Sequence, residues 1–342
     1  MLIECVPNIS EGRDLTVLDE ICAAITRVPG VRLLHVDRGI DANRTVLTFA
    51  GSPGAISDAA FEMYRVAAET INMERHHGAH PRIGAVDVCP FVPLDGATLE
   101  DCVGLARALG ERVAASLKLP VYLYEAAASL PERMNLANIR RGEYESLPQK
   151  LSDPKWAPDF GEAKLNPRFG ATVIGARNFL LAYNVSLNTV DTAAASEIAA
   201  RIRESGRGAD ANARRIPGRL KSCKAIGWYM PAYGCAQVSM NLTDFQVTGL
   251  FDAFRECARE AGSMGLRATG SELIGLVPKA ALVEAGRSIL RATSAGDITE
   301  EAELIRLAVS FLGLSQFNEF KPDERIIERL LDASPAAEPQ MS

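Results

Sequence analysis

Twice along this chain of 342 residues the hydrophobic period runs strand, helix, strand, strand, helix, strand. That order constrains the fold more than any other feature. Four strands and two crossing helices in this succession close into one sheet with helices on one face, the ferredoxin-like split arrangement. In the first half, residues 2–6 read as a strand ended by Pro7. Residues 14–28 read as a helix, with Leu15, Leu18, Ile21, Cys22 and Ile25 at helical spacing and Pro29-Gly30 as its stop. Residues 31–36 and 44–50 read as a hairpin turning through Asp37-Arg38-Gly39-Ile40-Asp41. Pro53 suits the first turn of a helix running to about residue 71, and residues 84–91 read as the fourth strand. A helix over 98–117 and a strand over 121–124 extend this half.

In the second half, 179–187, 225–230, 236–242 and 269–276 read as strands. Helices over 191–205 and 249–261 stand between them, with Thr189 or Asp191 placed to cap the first. Helices over 279–291 and 300–311 close this half. The expectation is an α/β (α+β) chain of two similar β-α-β-β-α-β subdomains, 1–178 and 179–328, with mixed sheets and helices on one face. A polar, proline-rich flexible tail over 329–342 follows.

Two domains agree with the length, at roughly 100–200 residues each. A net charge of −6 offers no basic field to hold nucleic acid. No apolar run approaches the ~20 residues of a membrane helix. The opening MLIECVPNIS lacks the basic region, long apolar core and cleavage site of a secretory signal. Seven cysteines (Cys5, Cys22, Cys89, Cys102, Cys223, Cys235, Cys257) are odd in number, scattered, and never spaced C-x-x-C. They read as reduced thiols of a cytoplasmic protein.

Chemistry concentrates in residues 75–93, RHHGAHPRIGAVDVCPFVP, which hold three of the four histidines. Histidine changes charge near neutral pH, so His76, His77 and His80 in a Gly/Pro loop point to proton transfer or metal binding; a solvated loop is the bland alternative. Zinc is the weaker use. His76 and His80 are four apart, as in H-E-x-x-H, but Gly78 and Pro81 oppose the continuous helix that motif needs, and His77 occupies its glutamate position. General acid/base work fits better, with Asp37 as a carboxylate to orient the imidazole. Asp37 is equally at home as a strand-end turn residue. Residues 133–170 are irregular, with prolines at 148, 154, 158 and 167. Trp156, Phe160 and Phe169 argue for an ordered loop on the binding face. The basic cluster Arg214, Arg215, Arg219, Lys221 and Lys224 suits either solvent or an anionic substrate. Neither 170–176 nor Gly206-Arg207-Gly208 carries a nucleotide-binding signature.

Several of these stretches resemble one family. VPNISEGR at 6–13, DRGIDANRTV at 37–46, HHGAHPRIGAVDVCPF at 76–91, PDFG at 158–161, GATVIGAR at 170–177, IGWY at 226–229 and NLTDFQVTGL at 241–250 are similar to glutamate formimidoyltransferases. The resemblance runs from about residue 2 to about residue 328. It implies two similar α/β subdomains with a groove between them, and transfer of a formimidoyl group from N-formimidoyl-L-glutamate to N5 of tetrahydrofolate in histidine breakdown. Animal members fuse the transferase to a cyclodeaminase, which is not expected here. Tetrahydrofolate is implied as co-substrate, with no metal, and a homodimer as the working form; exposed apolar strand edges in two small sheets favour the same dimer. The catalytic histidine of the family falls on His80. Its folate-contacting loop falls on Gly161, Glu162, Ala163, Lys164, Leu165, Asn166, Pro167, Arg168, Phe169 and Gly170. Ala79 stands where the family has glutamate in H-H-G-E-H, so that carboxylate is absent from this sequence.

In that setting His80 would take the N5 proton and later protonate the leaving glutamate nitrogen, with Asp37 orienting it. Arg82, Asn43 and Arg44 are the candidates for the glutamate carboxylates or the intermediate's charge. Phe160 and Phe169 are the candidates to stack on the pterin or aminobenzoyl ring. Three alternatives stay open: formyl transfer from N-formyl-L-glutamate at the same site, a non-catalytic folate- or amino-acid-binding module, and, more distantly, a metal-dependent hydrolase.

Overall fold

The computed structural model of the protein describes residues 1–40, 42–78, 80–208, 216–293 and 298–333. Asp41 of the hairpin turn, Ala79 of the histidine loop, Arg214 and Arg215 of the basic cluster, and tail residues 334–342 lie outside the described residues. The chain divides into two compact units between Asn178 and Phe179.

In the first unit the opening strand is broken into β1 (Ile3–Cys5) and β2 (Asn8–Ile9), because Pro7 has no N–H to give the ladder. Helix α1 (Leu15–Thr26) follows, its first turn capped by the Asp14 side chain on the amides of Thr16 and Val17. Then come the hairpin β3 (Val31–Gly39) and β4 (Arg44–Gly51), helix α2 (Pro53–Thr70) and strand β5 (Val86–Pro93). The sheet order β3-β4-β1/β2-β5, antiparallel throughout, is that of a ferredoxin-like fold. Helix α3 (Leu99–Leu117), begun by a Thr98–Asp101 capping box, leads to β6 (Val121–Glu125).

Two features depart from the sequence-based expectation. Thr172–Ala176 forms a further strand, inserted between β5 and β6 and parallel to both. All five of its residues are buried, so it lacks the alternation that marks a half-exposed strand. In chain order it is β7. Second, the irregular segment contains two short helices, α4 (Leu136–Arg140) and α5 (Leu147–Ser152). Helices α1 to α3 share one core with the sheet. Ile139, Leu147 and Leu151 instead pack with Tyr122, Tyr124 and Val173 in a separate core. Helices therefore cover both faces of β5-β7-β6, not one. The segment is tied down by the buried Arg133–Asp159 pair at 2.7 Å, with Asp159 also accepting from the Leu123 amide.

The second unit is β8 (Leu181–Leu187), α6 (Thr192–Ile202), β9 (Cys223–Met230), β10 (Cys235–Leu242), α7 (Leu250–Ser263) and β11 (Ala268–Ile274). Strand order is β11-β8-β10-β9 with every pairing antiparallel, so this sheet is not mixed. Helices α8 (Lys279–Thr293) and α9 (Glu301–Leu312) complete its core. Leu181, Tyr183, Val185 and Leu187 alternate into that core, while Asn184 and Ser186 between them carry a polar network with Gln237 and Glu272.

Candidate active site

The histidine loop runs from the 3-10 turn Met73–Arg75 into β5 and is pinned at the start of β4. Gly78 is required where the two meet: a Cβ there would stand 2.1 Å from the Ala42 carbonyl oxygen. Asn43 is the strut. It adopts a left-handed backbone (φ 46°), which asparagine tolerates better than most residues. Its Oδ1 accepts from the Gly12 amide at 3.0 Å, and its Nδ2 donates to the His77 carbonyl at 3.0 Å. Its own carbonyl accepts from His76 Nε2 at 2.8 Å. His76 is thereby fixed as the Nε2–H tautomer, and its Nδ1 accepts from Arg82 Nε at 3.3 Å. Burial, followed by the Arg82 charge among the lowering causes, keeps this imidazole less basic than usual.

Arg82 is 6 % exposed and spends all five N–H groups within the protein. Nε goes to His76, Nη1 to Glu143 at 3.1 Å and Glu145 at 2.8 Å, and Nη2 to Glu145 at 2.6 Å and the His76 carbonyl at 3.2 Å. No donor remains for a substrate.

His80 faces a different arginine. Its Nε2 lies 2.6 Å from Arg44 Nη1, which also reaches Asn8 Oδ1 at 3.1 Å. Because a guanidinium only donates, Nε2 is the acceptor and the ring is neutral. Burial, then the charges of Arg44 and Arg140, hold His80 down to about 2; a hydrogen bond to the Pro81 carbonyl only partly offsets this. Asp37, paired with Val46 across β3–β4, favours the Arg44 charge through space. Among the described residues it makes no hydrogen bond to His80. Asp87 is buried, accepts from the Ile83 amide at 2.9 Å, and pairs with Arg140 of α4.

The loop expected to meet folate forms one wall of a groove of about 760 Å³, opposite Glu111, Ala114, Ala115 and Lys118 of α3. Phe160 lies against Gly110 of α3, and Gly161 to Arg168 are mostly exposed along the groove. Phe169 is not available to a ligand. It is 1 % exposed in the core and stacks on Tyr64 at 6.2 Å. Gly170 is buried as well, with φ +82° and a bridge to Gly84. The groove and the small cleft at His80 share no lining residue. Tyr144 links them: its amide donates to the Arg82 carbonyl, and its hydroxyl to the Pro167 carbonyl at 2.6 Å.

Residues 2–177 match the formiminotransferase domain, N-terminal subdomain, and residues 182–332 match the formiminotransferase domain. The chain belongs to the formiminotransferase family. It is 48 % identical over 341 residues to the formimidoyltransferase-cyclodeaminase of Sus scrofa, covering 100 % of this chain and 61 % of that protein. It thus spans about three fifths of the length of that relative. It is 41 % identical over 290 residues to the glutamate formimidoyltransferase of Streptococcus pyogenes, covering 85 % of this chain and 93 % of the relative. The same enzyme of Thermoplasma acidophilum is 41 % identical over 292 residues, covering 85 % and 92 %.

In this chain the expected site residues fall into three groups. His80 and Arg44 come together. Asn43 and Arg82 stand beside them, with hydrogen bonds directed into the fold. Gly161, Glu162 and Lys164 to Arg168 line a separate groove, with Ala163 exposed beside it and Phe169 and Gly170 buried. Arg140, Glu143 and Glu145, which hold Asp87 and Arg82, are not among the residues that the sequence singles out. Their partners are 53 to 63 positions away in the chain, so no local pattern reveals them.

Proposed function

We propose that the protein transfers a formimidoyl group from N-formimidoyl-L-glutamate to N5 of tetrahydrofolate. The match of both halves to formiminotransferase domains carries this reading. The relatives named glutamate formimidoyltransferase, of which this chain covers more than nine tenths, support the donor. Arg44 suits a glutamyl carboxylate, because its Nε and Nη2 have no hydrogen-bond partner among the described residues and form a planar fork. A groove of about 760 Å³ lies within the roughly 300–1,000 Å³ usual for ligands of this size, and Phe160 and Leu165 give it apolar wall.

In the reaction the N5 lone pair attacks the formimidoyl carbon and gives a tetrahedral adduct. His80 takes the N5 proton and returns it to the glutamate nitrogen as the carbon–nitrogen bond breaks. The products are 5-formimidoyltetrahydrofolate and L-glutamate. Asp37 contributes by favouring the charge on Arg44. The protein works in this proposal as a cytoplasmic homodimer without a metal; seven free cysteines agree with a reducing compartment.

The test is an assay of glutamate release with tetrahydrofolate and each donor separately. Turnover with the formimidoyl donor is the expected result. Preference for N-formyl-L-glutamate would keep the site and change the substrate, and binding without turnover would leave a folate-binding module. His80→Ala should lower kcat by about 10²–10⁴-fold. A folded variant with near-normal kcat would remove His80 from the chemistry.

A further inference from the structure

A neutral imidazole has one lone pair, and in this structure His80 has already committed it. Nε2 accepts from Arg44 Nη1 at 2.6 Å. Among the described residues the ring's other polar contact is the Pro81 carbonyl, which takes a hydrogen bond and has no proton to give. As arranged, no nitrogen of His80 is open to receive a proton from an attacking amine. Arg44 will not let go by losing its charge, since a guanidinium stays protonated in proteins. A stronger acceptor can draw it away. Charge-assisted bonds to carboxylate are roughly twice as strong as neutral ones. Nε and Nη2 of Arg44 carry three N–H groups without a hydrogen-bond partner among the described residues.

We propose that Arg44 is a substrate-operated lock on His80: a carboxylate of the glutamyl donor docks on the free edge of Arg44, draws the guanidinium off Nε2, and so releases the imidazole to act as base. This rests on the formimidoyl-glutamate reading of the site. The charged groups around the pair come from four elements: Arg44 on β4 and Arg140 on α4 act on His80, and Asp37 on β3 and Asp87 on β5 act on Arg44. Once a carboxylate neutralises Arg44, one of the two guanidinium charges opposing the imidazolium is cancelled and Nε2 is open. Both changes make His80 more basic. Proton transfer therefore waits for the donor, and folate alone leaves the base occupied. Arg44 acts here as a positioning residue for His80 and as a ligand for the donor.

The lock is read directly by ¹⁵N NMR of the histidine rings in the intact protein, with His80 assigned by loss of its signal in His80→Gln. Without ligand, the His80 ring should stay neutral from about pH 8 to about pH 5. With saturating L-glutamate, it should lose the Arg44 bond at Nε2 and titrate at least one pH unit higher than without it. In Arg44→Met the ring should titrate at higher pH without glutamate and no longer respond to it. A wild-type His80 that titrates near 6.5 without ligand overturns the lock. So does a signal unmoved by saturating glutamate, or a failure of glutamate to bind. Turnover measured on the same preparation separates the two ideas: no turnover with the formimidoyl donor sinks the function, whereas turnover with an unmoved His80 signal sinks only the lock.

Discussion

His76 and His80 are both held neutral, and by the same means: each is buried and each accepts from an arginine, His76 Nδ1 from Arg82 and His80 Nε2 from Arg44. Both are less basic than ordinary histidine, burial being the first cause in each. Below the ordinary value of about 6.5 the unfolded chain binds protons that the folded chain refuses. Stability from these rings is therefore full above about pH 6.5 and is lost as pH falls below it. For His80, held down to about 2, the loss between pH 7.5 and about pH 5.7 is about 1 kcal/mol. Unfolding free energies from urea titrations at the two pH values should fall by about 1 kcal/mol more in the wild type than in His80→Gln, and equal losses would refute it. Arg82 poses the complementary case. With all five donors bonded inside the protein, Arg82→Met should cost roughly 2–3 kcal/mol of stability. Unchanged stability with a tenfold higher KM for the donor would instead return Arg82 to the substrate.

At the scale of elements, the run-in to β5 and the end of the groove loop meet through Gly84 and Gly170. A Cβ on Gly170 would stand 2.2 Å from the Ile83 carbonyl oxygen, at a φ that disfavours other residues. Gly170→Ala should thus destabilise the protein by roughly 2–4 kcal/mol, seen as a lower Tm. A Tm within a degree of wild type would mean the junction yields easily. The helices of both β-α-β-β-α-β repeats are legible because each has one buried and one exposed face, and strands such as β5, buried at all but its last residue, because they are apolar runs bounded by turn residues. Strand β7 is not: it has only five residues, all buried and ending in Gly175 and Ala176, so neither alternation nor a long apolar run marks it. Helices α4 and α5 are five and six residues long, too short for a helical period to register.

For the whole molecule, each half closes its own sheet and core, and the unit boundary at 178/179 falls between the two family matches. In the second unit β9 is one of the two edge strands, and it exposes Ile226 (59 %), Trp228 (37 %) and Tyr229 (42 %). Exposed apolar edges invite pairing with another chain. Light scattering should give twice the chain mass of 36.8 kDa, and Ile226→Lys should shift the population toward the single chain. A wild-type mass of one chain at micromolar concentration would end the dimer proposal.

By itself the sequence determined the two repeats and the family, because periodicity and contiguous motifs are written locally. Tertiary structure alone decided which groups are free. Arg44 and Arg82 look equivalent as residues in a loop-rich sequence. One keeps a free guanidinium edge beside His80 and the other is consumed by Glu143, Glu145 and His76. Phe169 reads as a stacking ring in an exposed loop, yet the chain turns it into the core against Tyr64. Hydrogen-bond satisfaction and burial depend on partners tens of residues away, and no local pattern in the chain encodes them.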